Sequence, residues 1–230
     1  MKDQVVIETN EKKRHLWDIN ETHGFQSINV NGKSYDVNTK RSPSNLHKTA
    51  TLLMYIDLYI KQLIDDLVEQ CLKRGVLSEN CKLISQTPYV VQEIEYNSGF
   101  YGINKPKGII RSPTKKKLFH LDNDYRATYR LIMLDLRRAD GSFVEWDGDH
   151  DHTIKGTLIH ELSHTMCNHI TYRTKGNHQK DFHDCERVLL ELARVKDPAR
   201  CKSPEGALRV ARSPSPELSQ IEDIITNMIG

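Results

Sequence analysis

No run of about 18 apolar residues occurs anywhere in this chain, so no helix-forming segment is long enough to span a membrane. The opening stretch "MKDQVVIETNEKKRH" lacks the apolar centre of a secretory signal, and none is expected. Cysteine is scarce and odd in number. Cys71, Cys81, Cys167, Cys185 and Cys201 include no Cys-x-x-Cys pair. Together with the missing signal, this gives an expectation of free thiols in a reducing compartment, nuclear or cytoplasmic and not secreted. Charge of one sign is also lacking. A net charge of +2 makes no global basic field, so any nucleic-acid binding must rest on local patches. At 230 residues the chain is long enough to bury a core without staples, as one domain with extra length or at most two small ones.

The first 45 residues are polar with short apolar pieces. "QVVIE" (4–8) and "QSINVNGKSYDV" (26–37) read as strands, the second folded at an Asn31-Gly32 hairpin turn. Ser44 or Asn45 can cap a helix over 46–72, where Leu53, Ile56, Ile60, Leu63 and Leu67 form one apolar stripe. A stripe of this kind is core. Residues 87–96 and 130–138 read as strands, and 98–125 as a basic segment rich in turn residues. Helices are expected over about 153–169 and 180–196, the second with Phe182, Cys185, Leu189, Leu192 and Val195 in register. The Ser-Pro steps after Asp197-Pro198 predict a flexible tail over 197–230. The fold class expected is α+β. Residues 1–45 form a polar segment with short strands, 46–196 the main domain, and 197–230 the tail.

Five of the eleven histidines fall within residues 159–184. His160-Glu161-Leu162-Ser163-His164 has the pattern H-E-x-x-H. Residues four apart on a helix stand one above the other, so His160 and His164 can both offer a ring nitrogen to one zinc ion. Glu161, beside them, is placed to take a proton from a zinc-activated water and return it to a leaving amine. A catalytic zinc needs a third protein ligand. The long metzincin spacing would put it at Ile170, so this is not a metzincin. His169 would point away if the helix continued. His178, after the loop "TYRTKGN", is the better candidate, with His183 as the alternative. His150, His152 and His169 read as solvated, and Cys167 and Cys185 as small buried residues. Tyr172 or His183 is a candidate oxyanion donor.

"YGIN", "LIMLDLRR", "GTLIHELSH" and the later His178-x-x-x-Phe182 together resemble the WLM-domain metalloproteases, a family related to the SprT and Spartan proteases. The resemblance spans roughly residues 45–196 and is closest over 130–183. It implies a small zincin-like domain, helices packed on a short few-stranded sheet. It also implies zinc held by His160, His164 and His178, and Glu161 as acid and base. The strand "LIMLDLR" would lie along the substrate, with Leu134, Asp135 and Leu136 pairing to its backbone. The activity implied is cleavage of proteins trapped on DNA, a DNA-repair function. The gap from His164 to His178 is longer than in most WLM sequences and closer to the SprT pattern.

A protease of that kind must touch DNA. Lys105, Lys107, Arg111, Lys115, Lys116 and Lys117 lie in one Gly/Pro-containing stretch that can clamp phosphates of single-stranded DNA. Phe100, Tyr101 and Phe119 flank it and can stack on bases. The same run also reads as a solvated loop. "IEDIITNMI" in the tail has the look of a strand-adding motif for a ubiquitin-like modifier. Two other functions compete: a non-catalytic DNA-binding adaptor that retains a zinc site, and a zinc hydrolase of small molecules. An intact Glu161 argues against the first, and the extended strand against the second.

Overall fold

Asn31 and Gly32 both adopt positive φ (51° and 83°), the pair of conformations a two-residue hairpin turn requires. They join β1 (Phe25–Val30) to β2 (Lys33–Asn38) in antiparallel register, Val30 opposite Lys33. The computed structural model describes residues 24–40, 44–74, 78–94, 99–108, 110–111, 125–148, 152–169, 180–195 and 215–230. Its architecture is α+β.

The apolar stripe predicted over 46–72 becomes α1 (Leu46–Arg74), with Leu53, Ile56, Ile60, Leu63 and Leu67 fully buried. A short helix, α2 (Ser78–Gln86), follows and leads into β3 (Tyr89–Glu93). The remaining strands are β4 (Gly102–Lys107), β5 (Ile110–Arg111), β6 (Tyr125–Arg126) and β7 (Tyr129–Leu134). The main sheet has the order β3-β7-β4, with β3 parallel and β4 antiparallel to β7. β5 and β6 form a separate antiparallel pair.

Across this sheet lies α3 (Ile154–Met166), beside α4 (Lys180–Ala193). Thr153 caps α3 by accepting a hydrogen bond from Gly156 N–H at 3.1 Å. All of α3 except His160 is buried, so it is a central helix and not an amphipathic cover.

Two expectations change here. Residues 98–125 are basic and rich in turn residues, yet 102–107 form β4. Pairing with β7 overrides the poor strand propensity of Gly, Asn and Pro. The flexible tail was expected over 197–230, but residues 216–229 form α5 (Pro216–Ile229). Ser215 caps it, Pro216 sits in its first turn, and Leu218 and Ile225 are fully buried against the core that α1 also joins. "IEDIITNMI" is therefore helical here and not an extended strand-adding segment. Residues 197–214 lie outside the described residues.

Arg137 fastens the hairpin to the sheet. It is fully buried, forms a two-pronged ion pair with Glu93 (2.9 and 2.8 Å) and donates to Asn38 O at 2.6 Å. Glu93 in turn accepts from Asn38 N–H at 2.8 Å. No helix among the described residues is long and apolar enough to cross a membrane.

Candidate metal centre

His160 and His164 stand one turn apart on α3, as their spacing predicts. Their ring centroids are 5.0 Å apart and the planes nearly perpendicular, at 88°. Each ring has its Nδ1 engaged. His160 Nδ1 lies 2.9 Å from Glu186 Oε1 on α4. His164 Nδ1 lies 2.8 Å from Nδ1 of His169. With its Nδ1 facing a carboxylate, His160 would take a metal through Nε2; between His164 and His169 one Nδ1 donates and the other accepts. An imidazole whose Nδ1–H is held by another group keeps the tautomer with an Nε2 lone pair for a metal.

His169 reaches His164 because α3 stops. Asn168 adopts positive φ (55°), His169 N–H bonds back to His164 O at 2.9 Å, and Asn168 N–H to Thr165 O at 3.0 Å. This paired closure turns the chain back over the last helical turn. A helix continuing through residue 169, as the sequence predicts, would turn His169 away. His169 is instead buried against its neighbour. Phe182, fully buried on α4, packs its ring against His164 at 4.7 Å, His160 at 5.1 Å and His169 at 5.6 Å.

Glu161 is buried at the join between α3 and β4. A Cβ built on Gly102 would stand 2.9 Å from Glu161 Oε1 and 2.5 Å from Thr157 Cγ2, so only glycine fits without displacement. Next along β4, the fully buried Asn104 donates to Glu161 O at 2.5 Å and to Thr165 Oγ1 at 2.7 Å. Arg130 of β7 donates to His169 O at 2.5 Å. Asn104 thus ties the helix to the sheet, and Arg130 the turn that follows it.

The strand expected to meet substrate is not the one at the sheet edge. β7 is central. Leu134 O accepts from Ile94 N–H at 2.8 Å, Asp135 N–H donates to Tyr101 O at 2.8 Å, and Leu134 and Leu136 are buried. The backbone of Leu134 and Asp135 is thus already paired within the protein, and Leu136 O accepts from Val144 N–H at 2.9 Å. The edges among the described strands are β3 and β4, and β4 is the one that runs beside Glu161. Tyr101 O and Lys107 O both face β7, so by strand alternation the backbone N–H and C=O of Gly102 and Asn104 face outward. Pro106, which has no N–H, falls in the same outward set, where an edge tolerates it.

Lys105 and Lys107 lie on β4, but alternation places them on the sheet face opposite Gly102, Asn104 and α3. Their strand neighbour Ile103 packs there with Ile94, Leu131 and Met133. Arg111 falls on β5, opposite Tyr125. Phe100 and Tyr101 are exposed, and Tyr101 stacks on His152 at 3.7 Å. Lys115, Lys116, Lys117, Phe119, His150, Tyr172 and His178 lie outside the described residues. His183, the alternative ligand, is exposed, with Nδ1 3.5 Å from Glu186 Oε2.

Among the described residues no three or more His, Cys, Asp or Glu side chains are grouped to hold a metal. The two that are placed fit zinc by donor chemistry: two imidazoles on one helical face, each with Nδ1 held by a neighbour. The free thiols expected at four positions are paired instead. Cys71 pairs with Cys81, and Cys167 at the end of α3 with Cys185 on α4. In both pairs the Cα atoms are 6.6 Å apart, because adjacent helices bring them together.

From sequence His169 is set aside as solvated, and Gly102 and Asn104 enter only within the motif "YGIN", with no role attached; Glu186 and Arg130 fall within an expected helix and strand and are not singled out. Of these last two, Glu186 carries a signal. It stands four residues after Phe182 and three before Leu189, a charge on an otherwise buried helical stripe. No protein-family model matches the chain, and no curated protein or solved structure shows significant similarity to it.

Proposed function

We propose that the chain is a zinc-dependent endopeptidase with a zincin-like active site, acting on proteins bound or crosslinked to DNA. The observation that carries this is the position of Glu161. It is buried one residue from His160, on the helical turn that carries the ligand pair, and faces Gly102 on an outer strand of the sheet.

His160, through Nε2, and His164 would hold zinc, with His178 as the third ligand. Bound zinc supplies Lewis acidity that polarises a carbonyl and acidifies water. The protein's own groups do the rest. An extended substrate pairs with the outward N–H and C=O groups of Gly102 and Asn104, adding a strand to β4. That strand replaces Leu134, Asp135 and Leu136 as the substrate-binding element. The Glu161 carboxylate takes the proton of the attacking water. As the C–N bond breaks, it passes that proton to the leaving amine, giving a free acid and a free amine. Burial beside Gly102 keeps the carboxylate in one place through both transfers.

The DNA-linked substrate class rests on the resemblance to WLM proteases and on Lys105 and Lys107. Those lysines share a strand with Gly102 but face the other side of the sheet. DNA held there would tether a substrate rather than line the cleavage site.

The test is a cleavage assay with the full chain and zinc, with and without single-stranded DNA, against a DNA-binding protein. Cleavage is expected to need DNA. Glu161→Gln should reduce it at least ~10²-fold, the usual range for losing a general base, while zinc stays bound. Cleavage independent of DNA would keep the protease and remove the tether. DNA binding by both forms with no cleavage by either would favour the adaptor.

A further inference from the structure

We infer that Glu186 is a positioning residue for the metal centre: a carboxylate on α4 that fixes the tautomer and orientation of His160. The inference rests on the proposed zinc site and goes beyond it, because it assigns a role to a helix that supplies no ligand among the described residues.

Three observations carry it. His160 Nδ1 and Glu186 Oε1 are 2.9 Å apart, at hydrogen-bond distance. The Glu186 side chain is only 12% exposed, against 26% for His160, so the contact is inside the α3–α4 interface rather than on the surface. Phe182, one turn earlier on α4, wedges against the same ring and limits its rotation. A carboxylate in that position has a specific chemical effect. It accepts the Nδ1–H of His160, which leaves the lone pair on Nε2 and makes that nitrogen a stronger donor to a cation. Rotation of the ring would cost the hydrogen bond and collide with Phe182. His160 is thus held ready for a metal before one arrives.

Glu186 also lies 3.5 Å from Nδ1 of His183, through its second oxygen. That contact steadies the carboxylate from the solvent side. His183 is mostly exposed, so its loss should matter less than that of Glu186.

The test is zinc affinity, measured on the full chain by competition with a chromogenic chelator. Wild type, Glu186→Gln, Glu186→Asp and Glu161→Gln are compared. Glu186→Gln should weaken zinc binding about 10–100-fold, the usual cost of removing a group that orients a metal-bound histidine. Glu186→Asp should recover part of that loss. Glu161→Gln should leave zinc affinity unchanged. In the cobalt(II)-substituted protein, the visible absorption of Glu186→Gln should keep the wild-type band shape, because no ligand is lost. A changed band shape would make Glu186 a ligand and overturn the positioning role. Unchanged affinity in Glu186→Gln would also overturn it while leaving the zinc site standing. If the wild-type chain binds no zinc, both readings fall. Should Glu186→Gln not fold, nitrogen NMR on zinc-loaded wild type decides. A proton on His160 Nδ1 is expected, and a proton on Nε2 would overturn the inference.

Discussion

Gly102 bears on the proposed reaction only through what it lacks. Its φ is not positive, so backbone freedom is not the reason for glycine there; space is. An added methyl would meet Thr157 Cγ2 at 2.5 Å, and threonine on a helix has few rotamers with which to retreat. The softer neighbour is the Glu161 carboxylate, so Gly102→Ala should displace it by several tenths of an ångström or more. A misplacement of that order at a reacting group costs roughly 10–100-fold in rate. The prediction is a fall of that size in kcat for peptide cleavage with zinc affinity unchanged. Equal losses in both would mean that the whole helix had moved. At this scale the sequence was readable only where chemistry is contiguous. His160, Glu161 and His164 lie within one helical turn, so their spacing alone brings them together. Gly102 and Asn104 are about 60 positions away along the chain, and only the pairing of β4 with β7 delivers them. His169 was misread for a local reason, since one residue with positive φ at Asn168 reverses where the next side chain points.

Helices and strands follow the same division. α1 was legible because a stripe repeated from Leu53 to Leu67, about four turns, marks a buried helix face. The β1–β2 hairpin was legible because Asn-Gly at its turn has few alternatives. β4 was not, because its sequence "GINKPK" satisfies a sheet edge and a turn about equally until a partner strand is given. The join between α3 and α4 was likewise hidden. It depends on Cys167 and Cys185, whose pairing spans 18 residues of sequence. Closing a loop of that size in the unfolded chain stabilises the fold by about 3 kcal/mol on the chain-entropy account. Thiol titration of the denatured, unreduced chain should therefore find at most one free thiol rather than five. Cys167→Ser should lower the unfolding free energy by about 3 kcal/mol in denaturant titration. Five titratable thiols would restore the reading of unpaired cysteines.

At the scale of the molecule, α5 and α3 are coupled through one buried cation. Lys155 of α3 is 2% exposed, and its ammonium is 3.1 Å from Asp147 Oδ2 and 2.7 Å from Glu222 Oε1 on α5. The same end of the protein holds Tyr59, whose hydroxyl is driven well above its ordinary pKa by burial and then by the Glu222 carboxylate. Its raised pKa means that stability from the neutral phenol is complete below pH 10 and is lost as pH rises further. Ser-Pro steps made this region look disordered, but Ser-Pro-Glu-Leu is also how a helix begins. Ser215 caps, Pro216 opens, and Leu218, Ile221, Ile225 and Met228 follow at helical spacing. Deletion of residues 215–230 would uncover the contacts of Leu218 and Ile225, worth on the order of 3–6 kcal/mol together. It would also leave Lys155 with Asp147 as its remaining carboxylate of the two. A loss of that size is comparable with the whole stability of a typical domain, so the deleted chain should be largely unfolded at 25 °C. The milder Ile225→Ala should lower the urea midpoint by an amount equivalent to 2–5 kcal/mol, roughly the cost of a buried isoleucine. An unchanged midpoint in both variants would return the segment to the flexible tail its composition suggested. A loss in both, with zinc binding impaired only where the fold is lost, would make α5 a structural part of the unit that carries α3.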